Sequence, residues 1–224
     1  MEKGRDSMTD FAAVREAMVD GQVRPSDVTL YPVIEAMLTI PREDYVPEAL
    51  REVAYIGDHL PLAERRVVLD ARVMAKILET LAIQPSEMVL DIGAGLGLSA
   101  ALIAHLSEAV IALESDEAMA KEAEALLASH DVDNAVVEKG ALAEGAPKHG
   151  PYDVIVIEGG VGEVPQALID QLKTGGRIAA IMMDGALGRC MLGRKTESGM
   201  DWRWSFDAAA PVLPGFEKQT IFAF

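Results

Sequence analysis

Residues 88–104 read MVLDIGAGLGLSAALIA, and the fold follows from them. Val89, Leu90 and Ile92 are β-friendly apolar positions that run into Gly93, Gly95 and Gly97, after which Leu98, Ala101, Leu102 and Leu106 recur at helical spacing. The order is strand, glycine turn, helix. Such a turn carries backbone N–H groups and the positive end of a helix up to a ligand, with glycines where a Cβ would block close approach or where φ must be positive. A second apolar run, residues 110–113, ends at Glu114, about 20 residues on, where Rossmann-type folds place a ribose-binding acid. A nucleotide-like ligand is the natural expectation. The glycines follow Gly-x-Gly-x-Gly, however, and Leu98 stands where the dinucleotide pattern has its third glycine, which counts against a nicotinamide cofactor. The plain alternative is a tight strand-to-helix connection with no ligand.

The 224 residues are 50% hydrophobic and 25% charged, the balance of one globular α/β domain with an N-terminal extension. The longest apolar runs, residues 154–157 and 178–183, are strand-sized rather than membrane-sized. The charged start MEKGRDSMTD lacks the apolar core of a secretory signal, so a cytoplasmic protein is expected. A net charge of −16, spread along the chain, disfavours nucleic acid and anionic membranes as partners. The lone Cys190 has no Cys or His neighbour at ligand spacing, so neither a disulfide nor a metal site is expected. Basic residues gather at Arg65–Arg66 and at Arg189, Arg194 and Lys195.

Apolar periodicity predicts a helix from a Thr9 cap to a stop at Gly21, a second from about residues 26–27 to Pro41, and a short third over 47–53. Residues 54–69 read as loop and short extended pieces, with Asp58 and His59 as a weak catalytic pair; Asp70 caps a helix carrying Val73, Met74, Ile77, Leu78 and Leu81. Beyond the opening turn the chain alternates as a parallel sheet requires: a helix capped by Ser115, a strand over 134–139, a strand over 152–157, a helix over 165–172 and a strand over 177–183. Residues 184–199 read as a loop, and 202–206 with 218–224 as an antiparallel pair at the sheet edge.

With Asp91 before the turn and Glu114 after it, the motif resembles the first motif of S-adenosylmethionine-dependent methyltransferases. Across roughly residues 18–181 the chain resembles the protein-L-isoaspartate O-methyltransferase family. The resemblance rests on Met18 and Gln22, on Pro41, Arg42, Glu43, Tyr45, Val46 and Pro47, on Ala54–Tyr55 and Leu60–Pro61, on VLDIGAGLG, and on QLKTGGRI from Gln171 to Ile178. It implies an α/β fold: a Rossmann-like, seven-stranded, mostly parallel sheet with an antiparallel C-terminal hairpin, helices on both faces and an N-terminal helical extension. The expected division is an N-terminal helical extension and cap over the cofactor site at 1–83 and a class I methyltransferase domain at 84–224, together one compact unit. The implied activity is methyl transfer from S-adenosylmethionine to a carboxylate of a protein, a peptide or another acceptor. A carboxylate is already anionic, so positioning replaces a general base and no catalytic residue is assigned. The implied cofactor-binding residues are Asp91, Gly93, Ala94, Gly95, Leu96, Gly97, Glu114, Ser115, Ala141, Leu142 and Glu158. A protein or peptide substrate or a small acceptor is the expected partner, with a second copy of the chain as a candidate.

The chain also departs from that family. Its Gly-Gln-Thr-Ile-Ser segment falls on Arg65, Arg66, Val67, Val68 and Leu69, with Ala71 in place of the following proline, so the serine hydroxyl that lines the family's active site is gone. Its Gly-Asp-Gly, with an acid beside the adenine, falls on Gly140, Ala141 and Leu142. Loss of that acid costs about 1–3 kcal/mol of cofactor binding if nothing replaces it. Glu158–Gly159–Gly160 stands where the family has Thr-Ala-Ala, which brings a carboxylate to the catalytic mouth. Arg65 and Arg66 are expected to face an anionic substrate. The competing reading is a catalytically degenerate family member that works as a binding or scaffold protein through residues 67–69 and the Trp/Pro-rich tail.

Overall fold

A computed structural model describes residues 9–218. Helices α1 (Phe11–Met18) and α2 (Tyr31–Thr39), the hairpin strands β1 (Leu60–Ala63) and β2 (Arg66–Val68), and helix α3 (Ala71–Leu81) precede the main sheet. Then β3 (Met88–Ile92), α4 (Leu98–Ala104), β4 (Ala109–Glu114), α5 (Glu117–Ser129), β5 (Ala135–Lys139), β6 (Tyr152–Val161), α6 (Gln166–Asp170) and β7 (Leu172–Asp184) alternate. Strands β8 (Leu187–Thr196) and β9 (Gly199–Asp207) complete a seven-stranded sheet in the order β5-β4-β3-β6-β7-β8-β9. The first five strands of that order are parallel and the last two antiparallel. Because the chain leaves β3 toward β4 on one side and later returns to pair β6 on the other, the strand order reverses at β3. A crevice opens at the carboxyl ends of strands at such a point.

Parallel strands must be covered on both faces, and here the alternation divides the core in two. Val89, Val110, Ala112, Val154, Val156, Ala179 and Ile181 face the layer of α1 to α5. Leu90, Ile92, Ile111, Leu113, Ile155, Ile157 and Ile178 face α6, Tyr152 and the returning segment at Leu213 and Phe216. Among the described residues no helix is long and apolar enough to cross a membrane.

Asp70 caps α3 by accepting from the Arg72 N–H at 2.7 Å, as the sequence predicts. Two other caps shift by one residue to a carboxylate. Asp10 caps α1, while Thr9 Oγ1 instead donates to Glu52; Asp116 caps α5, accepting from Ala118 and Met119. Gly21 does not stop the first helix, because residues Val19–Val23 widen into one looser turn before a tight turn ends at Asp27 with φ 64°. The second helix therefore begins at Tyr31, with Pro32 in its first turn, rather than near residue 26.

The largest difference is at residues 184–199, where the expected loop is strand β8, paired with β7 and β9. Its alternation is hidden by glycines. Gly193 lies under the Trp202 ring, where a Cβ would sit 2.7 Å from ring carbons, so a close approach, not a turn, requires it. The expected strand over 218–224 lies, after its first residue, outside the described residues; the edge pair is β8–β9 instead.

One side chain ties the two halves of the chain together. Arg177 on β7 donates to the Leu81 and Ala82 carbonyls at the end of α3, at 2.5 and 3.0 Å, and to both Glu87 carboxylate oxygens at 2.7 and 2.8 Å. It closes a helix terminus that would otherwise leave carbonyls unpaired. Hydrogen bonds and charge from Arg177 outweigh burial and hold the Glu87 carboxyl below its ordinary range. Arg177→Met is expected to lower stability by about 3 kcal/mol in urea denaturation at pH 7. A group whose folded pKa is depressed stabilises above its unfolded pKa and loses that contribution as pH falls through the folded value. The stability gap between wild type and Glu87→Gln should therefore shrink as pH drops below about 4.

Candidate active site

The crevice at the carboxyl ends of β3, β4 and β6 brings most of the expected residues together. Gly93, Gly95 and Gly97 all have positive φ, at 85°, 58° and 94°, a conformation that side chains with a Cβ rarely adopt. Gly93 and Ala94 donate to the Leu113 carbonyl at 2.9 and 3.2 Å, which fixes the turn against the end of β4. Asp91 is fully buried beneath it, with Oδ2 accepting from Ser99 Oγ in the first turn of α4 at 2.6 Å. Glu114 is equally buried, and its carboxylate accepts from the N–H groups of Gly95, Ser115 and Asp116 at 2.8, 2.7 and 2.9 Å. Leu96 is buried in the turn, and Ser115 is exposed just beyond Glu114. After β5, Ala141 is exposed and Leu142 buried, so neither side chain offers a polar atom there. Glu158 projects from β6 and is 6% exposed.

The chain itself fills the space above the turn. Arg66, from the β1–β2 hairpin, donates from both terminal nitrogens to Glu114, at 2.8 Å to Oε1 and 2.5 Å to Oε2, with the two side chains only 6% and 0% exposed. Leu62 Cδ1 lies 2.7 Å from where a Cβ on Gly95 would be; Leu213 and Arg66 crowd the same space over Gly93. What remains beside Val67, Leu69, Ala94 and Glu158 is a cavity of about 20 Å³. Sites for cofactor-sized molecules hold roughly 300–1,000 Å³. The expectation that Arg65 and Arg66 face an anionic substrate is corrected. Arg66 turns inward because a buried carboxylate needs a counter-charge, and Arg65, with φ 59°, reaches the Val212 carbonyl and Glu217.

Two carboxyls in this site are short of partners. Asp91 Oδ1 and Glu158 Oε1 are buried and accept no hydrogen bond. Burial pushes Asp91 up to about 7, against the Ser99 hydrogen bond and with the Glu114 charge adding to it. Burial, reinforced by Asp91, also pushes Glu158 well above the carboxylate range, while Arg66 and Arg42 pull the other way. Glu114 moves down: Arg66 and the backbone N–H groups overcome its burial. Arg42 lies behind the site, 3% exposed, and donates to the Ala54 and Leu69 carbonyls at 2.6 and 2.8 Å.

Asp58 and His59 are not a catalytic pair. His59 Nδ1 accepts from the Asp70 N–H at 2.8 Å and Nε2 meets the Ala209 carbonyl at 2.9 Å, so the ring joins the start of α3 to the C-terminal segment. Cys190 is buried within β8, which pushes its thiol up to about 12. Among the described residues no group of three or more His, Cys, Asp or Glu side chains is placed to hold a metal ion. Arg42, Leu62 and Leu213 are site residues that sequence reasoning passed over. Only Arg42 had a signal, as a member of the Pro-Arg-Glu run.

Residues 15–198 match the family model described as protein-L-isoaspartate(D-aspartate) O-methyltransferase. Protein-L-isoaspartate O-methyltransferase 1 of Rhodopseudomonas palustris is 38% identical over 173 residues, which cover 77% of this chain and 71% of the relative. The protein-L-isoaspartate O-methyltransferase of Methanoculleus marisnigri is 39% identical over 166 residues, 74% of this chain and 76% of the relative. Among solved structures, a protein-L-isoaspartate O-methyltransferase superposes with a TM-score of 0.79 at 23% identity, over 91% of this chain and 67% of its own. A Plasmodium falciparum chain described as the same enzyme, crystallised with S-adenosyl-L-homocysteine, gives a TM-score of 0.76 at 18% identity, over 92% and 99%. The chain therefore belongs to the protein-L-isoaspartate O-methyltransferase family, a family of S-adenosylmethionine-dependent methyltransferases that act on protein substrates.

Proposed function

We propose that this chain methylates a carboxylate of a protein or peptide, or of a small acceptor, from a cofactor site made by Asp91, the turn Gly93, Ala94, Gly95, Leu96 and Gly97, and Glu114 with Ser115. Ala141, Leu142 and Glu158 complete its rim. The observation that carries the reading is the placement of Glu114: its carboxylate sits at the end of β4 against the Gly95 N–H, where a ligand lying across the turn would meet it once Arg66 withdraws. The side chains suit the cofactor in kind, but Arg66 holds Glu114 and Leu62 lies against Gly95, so the β1–β2 hairpin has to lift before it enters. When bound, S-adenosylmethionine supplies an electrophilic methyl group. The chain's part is to hold the acceptor in line and to keep water out. On this reading residues 1–83 cap the site, 84–224 form the methyltransferase domain, and the enzyme is cytoplasmic.

The acceptor wall supports a substrate other than an isoaspartyl peptide. Leu69 is 2% exposed and offers no hydroxyl, Val67 and Leu62 are apolar, and Glu158 is held toward its neutral form. By the resemblance, isoaspartyl recognition has lost the serine hydroxyl that the family places at the position of Leu69.

Isothermal titration with S-adenosylmethionine should give saturable binding that Gly95→Val, strained at φ 58° and with its side chain in the space over the turn, abolishes; silence at millimolar cofactor overturns the proposal. Leu69→Ser is expected to raise methylation of an isoaspartyl peptide above wild type while costing about 2–4 kcal/mol of stability. The raised carboxyls also give a pH signature. Unfolded, each ionises near 4; folded, Asp91 keeps its proton to about 7, so the site's contribution to stability falls as pH rises between those values. In urea titrations Asp91→Asn should gain on wild type across that window and show no advantage at about pH 4.

A further inference from the structure

We infer that Arg66 is an internal competitor for the cofactor, and that Arg65 and Arg66 together latch the groove shut. The inference rests on the cofactor reading of Glu114 above. In that reading the carboxylate is the group that receives a ligand's hydroxyls. Here it receives a guanidinium in a bidentate, buried contact, so ligand and Arg66 cannot hold it at once. Arg66 is not a distant side chain that happens to reach in. It lies one residue past the hairpin tip, and the same hairpin drives Leu62 into the space above Gly95.

The tip is fastened a second time on its outer side. Arg65 Nε donates to the Val212 carbonyl at 2.9 Å, Nη2 to the Leu213 carbonyl at 3.4 Å and Nη1 to Glu217 at 2.7 Å. Leu213 is itself packed over Gly93 and Gly159. Adjacent arginines thus point in opposite directions, one to the ribose-type acid and one to the segment that roofs the turn. Opening the groove requires the inner contact to break, and freeing the roof requires the outer one to break. Glu114 is not stranded when Arg66 leaves, because three backbone N–H groups still serve it. When its counter-charge withdraws, the carboxylate therefore stays hydrogen-bonded and the lifted hairpin lets water reach it.

A protein whose binding-competent state is a minor one binds with an affinity reduced by that fraction. The test is isothermal titration with S-adenosylhomocysteine on the full chain and on Arg66→Gln, Leu62→Ala and Arg65→Ala, each checked for folding by circular dichroism. Arg66→Gln and Leu62→Ala should bind at least about tenfold more tightly than wild type, with Arg65→Ala between. Hydrogen exchange adds a readout that is independent of affinity: saturating ligand should speed exchange at residues 60–68 in wild type, the reverse of ordinary protection. Equal or weaker binding by the folded variants, or a hairpin protected by ligand, overturns the latch and leaves the cofactor reading intact. No binding by any folded form at millimolar ligand overturns both.

Discussion

The buried ion pair between Arg66 and Glu114 organises this molecule. Glu114 ends β4 and accepts from the turn after β3, from the start of α5 and from the hairpin that precedes α3, so one carboxylate joins four parts of the chain. A charge so fully removed from water requires partners on every side, and here it has them. Its neighbours Asp91 and Glu158 do not. The contrast divides the site into a satisfied ionic half around Glu114 and an under-bonded, proton-retaining half between β3 and β6.

The surrounding framework is polar where the family's N-terminal signature would suggest only packing. Arg15 donates to the Tyr55 hydroxyl and to Glu43, the Tyr55 hydroxyl donates to Glu43, and Gln22 donates to the Tyr55 carbonyl. Arg42 fastens the Ala54 and Leu69 carbonyls. These residues hold the segment that carries the hairpin against the helical layer. The motif residues on which the family resemblance rests are therefore, in large part, supports of the segment that carries the hairpin.

The sheet was legible because its signal is local. Apolar residues alternate or cluster in strand-length runs, the glycine turn follows one of them directly, and Asp70 announces α3 by its position alone. Strand β8 escaped because glycines at 188 and 193 and the charges at Arg189, Arg194 and Lys195 break its pattern, and only the contact with Trp202 explains Gly193. In the site, that Leu69 carries no hydroxyl and Ala141 no acid is plain from the chain itself. That Arg66 turns inward is not, since its partner lies 48 residues away and nothing in a pair of adjacent arginines states which is buried. The volume left over the turn is likewise a property of Leu62, Arg66 and Leu213 packed together, and none of these speaks for it alone.

The outer fastening of the hairpin has a consequence for the order in which the molecule is built. Arg65 meets partners 147 to 152 residues later in the chain, close to the end of the described residues. Contacts of that span are among the last that a growing chain can make, and the slowest to close from an unfolded one. During synthesis the strands, the glycine turn and Glu114 are complete while the roof at Leu213 is still missing. Until the C-terminal segment folds back along β6, the inner contact of the hairpin, Arg66 with Glu114, and Leu62 over Gly95 are all that can cover the crevice.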